Sequence, residues 1–173
     1  RAKRGGERAR PVLGQDHGAD RDAAGAAPCH PRPGQQLHRT VQGHLAGVAP
    51  VGDEDGREVR LGDYFGKRPV VLSLVYYECP MLCTQVLNGF AGSLQGMSFT
   101  VGKEYDVLVV SFDPGETPAM AADRKQDFVR RYIRDAREAN IHFLTGRESA
   151  IKALTDAVGF KYAWDEETRQ FAH

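Results

Sequence analysis

The sequence predicts an α/β fold, on three observations. Val70–Tyr76 (V-V-L-S-L-V-Y) is a short apolar run that reads as a buried strand. Thr84–Gln95 places Val86, Leu87, Phe90 and Leu94 at helical spacing, with Gly96 near its end. Val107–Phe112 is a second apolar run, bounded by Asp106 and by Asp113-Pro114-Gly115. Strand, helix and strand in that order form a βαβ unit, with parallel strands and a right-handed crossover.

The remaining elements extend this unit. Asp55-Gly56, between Val51 and the alternating Val59 and Leu61, reads as a tight hairpin turn. Gly62–Gly66 is a turn or short helical loop before the first core strand. Thr117-Pro118 opens a charged helix, Thr at the N-cap and Pro at the first helical position. Its apolar face is Met120, Phe128, Val129, Tyr132, Ile133 and Ala136, while Asp123, Arg124, Lys125, Asp127, Arg130 and Arg131 read as a solvated face. Ile141–Leu144 is a short strand in which His142 reads as a core or edge histidine. Thr145-Gly146-Arg147-Glu148 has the pattern of a capping box for a helix that presents Ile151, Leu154 and Val158 and stops at Gly159. Phe160, Tyr162 and Trp164 alternate as in an edge strand, and residues 165–168 make a turn.

Composition bounds the function. The 173 residues suit one domain plus an extension. Lys and Arg total 23 against 23 Asp and Glu, so nothing in the charge balance argues for nucleic acid or an anionic membrane surface as partner. Three cysteines are too few for a disulfide-stapled scaffold. No stretch approaches the ~20 apolar residues of a transmembrane helix, although the chain begins at Arg1 without Met, which leaves an upstream anchor open. Residues 1–48 are rich in Arg, Gly, Ala, Pro and His and carry isolated aliphatics at no regular period. They read as low-complexity, disordered or artefactual sequence, and Cys29, His30, His38 and His44 lack the paired spacing of a zinc site. The foldable domain is 49–173.

The most informative motif is Cys79-Pro80-Met81-Leu82-Cys83, between the first strand and its helix. Two thiols four residues apart at a helix start are expected on one face, roughly 5–6 Å apart at Cβ. The helix N-terminus is expected to lower thiol pKa, with Cys79 the more exposed sulfur and Cys83 the greater beneficiary of the first-turn amides. Such a pair suits a soft metal ion held between sulfurs or a dithiol–disulfide cycle; the plain alternatives are a structural disulfide or inert core thiols. Ligands of open α/β sheets gather at the carboxyl ends of strands, where both Cys79 and Asp113 fall. Asp113 either starts a turn or hydrogen-bonds around the thiols and tunes them.

The run Val70–Asn88, V-V-L-S-L-V-Y-Y-E-C-P-M-L-C-T-Q-V-L-N, resembles the redox and metal loop of the Sco/SenC family. The resemblance extends over Gly56–Lys67 (G-R-E-V-R-L-G-D-Y-F-G-K), Ser111–Pro118 (S-F-D-P-G-E-T-P), Phe143–Gly146, Ala157–Tyr162 and the final F-A-H. It implies a thioredoxin-like fold, with an N-terminal hairpin added to the βαβ core, and a copper chaperone for cytochrome c oxidase assembly. It also implies Cu(I)/Cu(II) ligation by Cys79, Cys83 and His173, and delivery to the oxidase's copper-bearing subunit or another cuproprotein. The implied location is the periplasmic side of the bacterial inner membrane, with a membrane anchor in the intact protein. A metallochaperone is expected more than an enzyme; the alternative is a thiol–disulfide oxidoreductase of thioredoxin or peroxiredoxin-like type acting on target cysteines through Cys79 and Cys83.

Three departures stand out. Thr84 stands where many members have proline, and Tyr77 where threonine is common. Residues 1–48 do not resemble the family's anchor and linker. The family's fold continues past the histidine into further strands and a helix, so the domain is expected to be incomplete at its C-terminus.

Overall fold

The computed structural model describes residues 43, 49–80, 82–132, 134 and 140–173. The expectations for residues 1–48, including Cys29, His30, His38 and His44, lie outside the described residues, as do those for Ile133 and Ala136. A short hairpin comes first, β1 (Val51–Gly52) and β2 (Glu58–Val59), then a 3-10 turn at Leu61–Tyr64. Next come β3 (Val70–Val75), α1 (Leu82–Gly96), β4 (Asp106–Ser111), α2 (Pro118–Arg131), β5 (Ile141–Gly146) and α3 (Glu148–Val158). The chain closes with β6 (Ala163–Asp165) and β7 (Gln170–Ala172).

The main sheet runs β2-β1-β5-β4-β3. β3, β4 and β5 are parallel, and β1 joins β5 antiparallel through Val51 and Gly146. Every residue of β4 is buried, which is why its sequence is a continuous apolar run rather than an alternation. Its side chains still divide by parity. Val107 and Val109 enter a core with Leu87, Ala91 and Leu94 of α1 and Phe128 of α2, whereas Leu108 and Val110 join Ala150 and Leu154 of α3 on the other face. The result is a layered α/β/α arrangement with α1 and α2 together on one face.

The hairpin turn forms as expected. Asp53 Oδ1 accepts the amides of Asp55 and Arg57, and Gly56 takes φ 77°, a left-handed conformation that suits glycine. Two expectations are corrected. The capping box at Thr145–Glu148 does not form: Thr145 stays buried in β5, and Arg147 is the N-cap without a side-chain bond. Pairing of Val51 with Gly146 draws this segment into the sheet and away from the helix end. Phe160, Tyr162 and Trp164 do not make an edge strand of the main sheet. Only residues 163–165 pair, with β7 in a separate two-stranded hairpin, while Phe160, Tyr162 and Phe171 pack on the core as aromatic rings.

Candidate metal centre

β3 delivers the cysteine loop to the carboxyl end of the sheet. Beyond Val75 the ladder gains one more bond, from the Phe112 amide to the Val75 carbonyl at 2.9 Å, and the chain then turns, the Cys79 amide reaching the Tyr76 carbonyl at 3.4 Å. α1 begins at Leu82, so Cys83 lies in its first turn and Cys79 lies in the turn before it. This corrects the picture of two thiols on one helical face. The two side chains still meet through a Cys79–Cys83 hydrogen bond, and the Cys83 amide also donates to Cys79 Sγ at 3.2 Å. Cys79 thus accepts a helix-terminal donor as a capping side chain would. Both residues are 4% exposed and carry thiols, not a disulfide, so the expected difference in exposure is absent.

Electrostatics also departs from expectation. Burial pushes the Cys83 thiol up to about 11, against the pull of the Tyr76 backbone, and Cys79 and the charge of Glu116 push the same way. A helix terminus lowers a thiol pKa only where the sulfur meets its amides without losing solvent. Tyr76, also raised to about 12 by burial and then by its hydrogen bond to Cys79, keeps its phenolic proton at neutral pH.

The loop sits in a polar frame that sequence reading did not find. Glu116, buried just past the end of β4, accepts the Glu78 amide at 2.7 Å through one carboxylate oxygen and the Ser111 hydroxyl through the other. Burial raises its carboxyl above the usual range, while Ser111 and the amides of Tyr77 and Glu78 oppose the rise. Asp113 occupies the turn beside it: its Oδ1 accepts the Gly115 amide at 2.8 Å, and its own amide donates to Ser111 Oγ at 3.0 Å. From α2, Arg124 donates to the Tyr77 carbonyl and reaches Thr84 Oγ1 at 3.5 Å. The Tyr77 hydroxyl crosses the sheet to donate to the Leu144 carbonyl at 2.7 Å. Arg124 and Lys125 are therefore not members of a solvated face; both are half-buried, and Lys125 pairs with Glu54. An acid following a buried strand was the one available signal for Glu116. Arg124 stands in a run of charges and gave none.

His173 follows β7. Its Nδ1 lies 3.3 Å from the Phe171 carbonyl, and its ring meets Phe112 at 5.3 Å and Tyr76 at 6.4 Å between centroids. The imidazole is exposed and stands one side chain away from Cys79, with Tyr76 between them. Among the described residues, no three His, Cys, Asp or Glu side chains gather closely enough to hold a metal ion. The sulfurs are paired; the histidine is near and not joined to them. His142, by contrast, lies against Tyr64 at 4.8 Å, with Nδ1 3.7 Å from Glu54, distant from this loop in the sheet.

The fold has relatives among solved structures. A protein of Aquifex aeolicus named for electron transfer matches at a TM-score of 0.60 and 21% identity, over 75% of this chain and 71% of that one. Arabidopsis thaliana ScoI, solved with copper bound, matches at 0.58 and 19% identity, over 75% and 76%. A SCO1/SenC family lipoprotein from Bacillus anthracis matches at 0.55 and 19% identity, over 73% and 71%. These likenesses establish the thioredoxin-like fold. A search of curated protein sequences gave no match. The family model for SCO1/SenC matches residues 50–173, from the first hairpin to the final histidine, and the chain belongs to the SCO1/SenC family.

Proposed function

We propose that this protein is a copper-binding assembly factor that holds one copper ion on Cys79 and Cys83 and passes it to the copper-bearing subunit of cytochrome c oxidase or to another cuproprotein. The observation that carries the reading is the side-chain contact between Cys79 and Cys83, two buried soft sulfurs at one helix end, with the Cys83 amide 3.2 Å from Cys79 Sγ. Two thiolates select Cu(I) and can hold it linearly. Burial disfavours a bare thiolate, so the cation itself supplies the compensating charge, and loading displaces the thiol protons. His173 is the third ligand, reaching the sulfurs by leaving the ring of Tyr76. Copper bound in the Arabidopsis relative supports the class of cargo.

The same sulfur pair supports a second role, reduction of a target's cysteines before copper transfer. The two thiols are not tied in a disulfide, and the dithiol gives up two electrons and two protons to a target disulfide. The proposed location is the periplasmic face of a bacterial inner membrane, in keeping with the Bacillus lipoprotein; among the described residues no helix is long and apolar enough to cross a membrane.

Titration of the reduced protein with Cu(I) against a colorimetric competitor tests the proposal. One ion per chain is expected, with Cys83→Ala losing it. Equal uptake by that variant sinks the assignment.

A further inference from the structure

We propose that Glu116 and Arg124 act as a two-armed clamp that fixes the spacing of the Cys79 and Cys83 sulfurs, so that both copper affinity and disulfide formation depend on it. The inference rests on the proposed thiol site and concerns residues that hold the chain on either side of the sulfurs, which makes them positioning residues.

The clamp's two arms come from different elements. Glu116, beyond β4, grips the segment before Cys79: one oxygen takes the Glu78 amide at 2.7 Å, and the other is held by Ser111, itself in the last position of β4. Arg124, in the middle of α2, binds the Tyr77 carbonyl and Thr84 Oγ1, the latter at 3.5 Å. The gripped positions therefore bracket the motif: residues 77 and 78 precede Cys79, and residue 84 follows Cys83. Between them lie the two sulfurs and Pro80. A buried carboxylate without partners would be costly, so the amide and hydroxyl that satisfy Glu116 also lock its position. Thr84 is informative here, because a proline at that place offers no hydroxyl to the guanidinium.

Fixing the loop matters because both reactions of the pair need two sulfurs in one geometry. A chelated ion needs both at once, and loss of preorganisation is read directly as loss of affinity. Disulfide formation removes one electron and one proton from each thiol and joins the sulfurs, while one oxidised glutathione is reduced to two glutathione thiols. Its equilibrium constant against glutathione therefore measures the effective concentration of one sulfur at the other.

The test compares wild type, Glu116→Ala, Glu116→Gln and Arg124→Ala in the full chain, with Leu154→Ala as a control. Leu154 is buried in the core on the α3 face, so its truncation destabilises the fold without touching the loop. Cu(I) competition and the glutathione equilibrium are measured on each, with melting temperature as the check on folding. Glu116→Ala and Arg124→Ala are expected to lower both quantities by about tenfold. Glu116→Gln, which keeps an acceptor for the Glu78 amide, is expected to stay close to wild type. Leu154→Ala is expected to lower the melting temperature and leave both quantities in place. Unchanged values in both alanine variants overturn the clamp, as does an equal drop in Leu154→Ala. A glutamine that fails to rescue overturns it too, since charge and not the held amide would then be the cause. If wild type takes up no copper, the proposed function fails, while the glutathione equilibrium still decides the clamp.

Discussion

The amide of Cys83 lies 3.2 Å from the sulfur of Cys79, so a donor at the start of α1 is spent on the thiol outside the helix. Its own thiol, pushed up to about 11 chiefly by burial, is a poor nucleophile at neutral pH. Cys79 is therefore expected to be the sulfur that attacks first. Limited alkylation with iodoacetamide followed by peptide mapping should label Cys79 ahead of Cys83, and the reverse order would remove it from that role. Copper on the pair should also block their disulfide, because the same electron pairs cannot serve both. Mass spectrometry of protein exposed to oxidised glutathione, with and without Cu(I) loading, checks this. Equal rates would mean that the sulfurs are not the metal's ligands.

His173 should matter more for Cu(II) than for Cu(I). Two thiolates can hold Cu(I) linearly, whereas Cu(II) takes more ligands in a more planar set. The imidazole now lies against Phe112 and Tyr76 and is exposed, so nothing buried holds it back from moving to the metal. His173→Ala is expected to strip the sulfur-to-Cu(II) charge-transfer absorption while Cu(I) stoichiometry stays at one. An unchanged visible spectrum would place the third ligand on another residue.

Much of the fold could be read from the chain, because its strongest signals are local. β3, α1, β4 and α3 each announce themselves by an apolar run or helical spacing, and the Asp55-Gly56 turn by its glycine. The sulfur pair could be read too, as a motif between strand and helix. Its surroundings could not. Glu116 and Arg124 lie 38 and 47 residues from the backbone groups that they hold, Glu78 and Tyr77, and no local pattern encodes such a contact. Helix polarity suggested an acidic thiol at Cys83, but solvent loss outweighs it, and burial of that sulfur is set by the packing of α1 on the sheet. The capping pattern at Thr145 was a true local signal that lost to strand pairing with β1.

Tyr77 is buried, and its hydroxyl bonds the Leu144 carbonyl across the sheet at 2.7 Å. Tyr77→Phe keeps the ring against Phe143 and removes the hydroxyl that serves the Leu144 carbonyl and, at 3.4 Å, the Val109 carbonyl. The expected loss is about 1–2 kcal/mol, since a buried carbonyl loses a donor that water cannot replace. Urea unfolding followed by fluorescence measures it. A variant as stable as wild type would mean that ring packing alone fixes Tyr77.

Glu54, at the tip of the first hairpin, ties three elements together. Its carboxylate meets Lys125 of α2 and His142 of β5, and its other oxygen accepts the Phe143 amide at 3.1 Å. Burial by itself would raise its pKa, but the bonds from His142 and Lys125, with backbone help, outweigh burial and hold it at about 2, below the ordinary 4.5. A carboxyl depressed on folding stabilises the native state above its unfolded pKa, and that contribution fades as pH falls from 4.5 through about 2. The neighbouring charges that face it are Lys125, His142 and the phenol of Tyr64, whose own pKa is raised to about 12 by burial and then by Glu54. Discounted for its partial exposure, the contribution at neutral pH is on the order of 2 kcal/mol. Glu54→Gln should therefore be less stable than wild type at pH 7, and the gap should close steadily between pH 4.5 and pH 2. Paired urea titrations across that range give the curve. A gap that stays constant with pH would show that the carboxylate's charge contributes nothing, and that the glutamate matters only as a hydrogen-bond acceptor for Phe143.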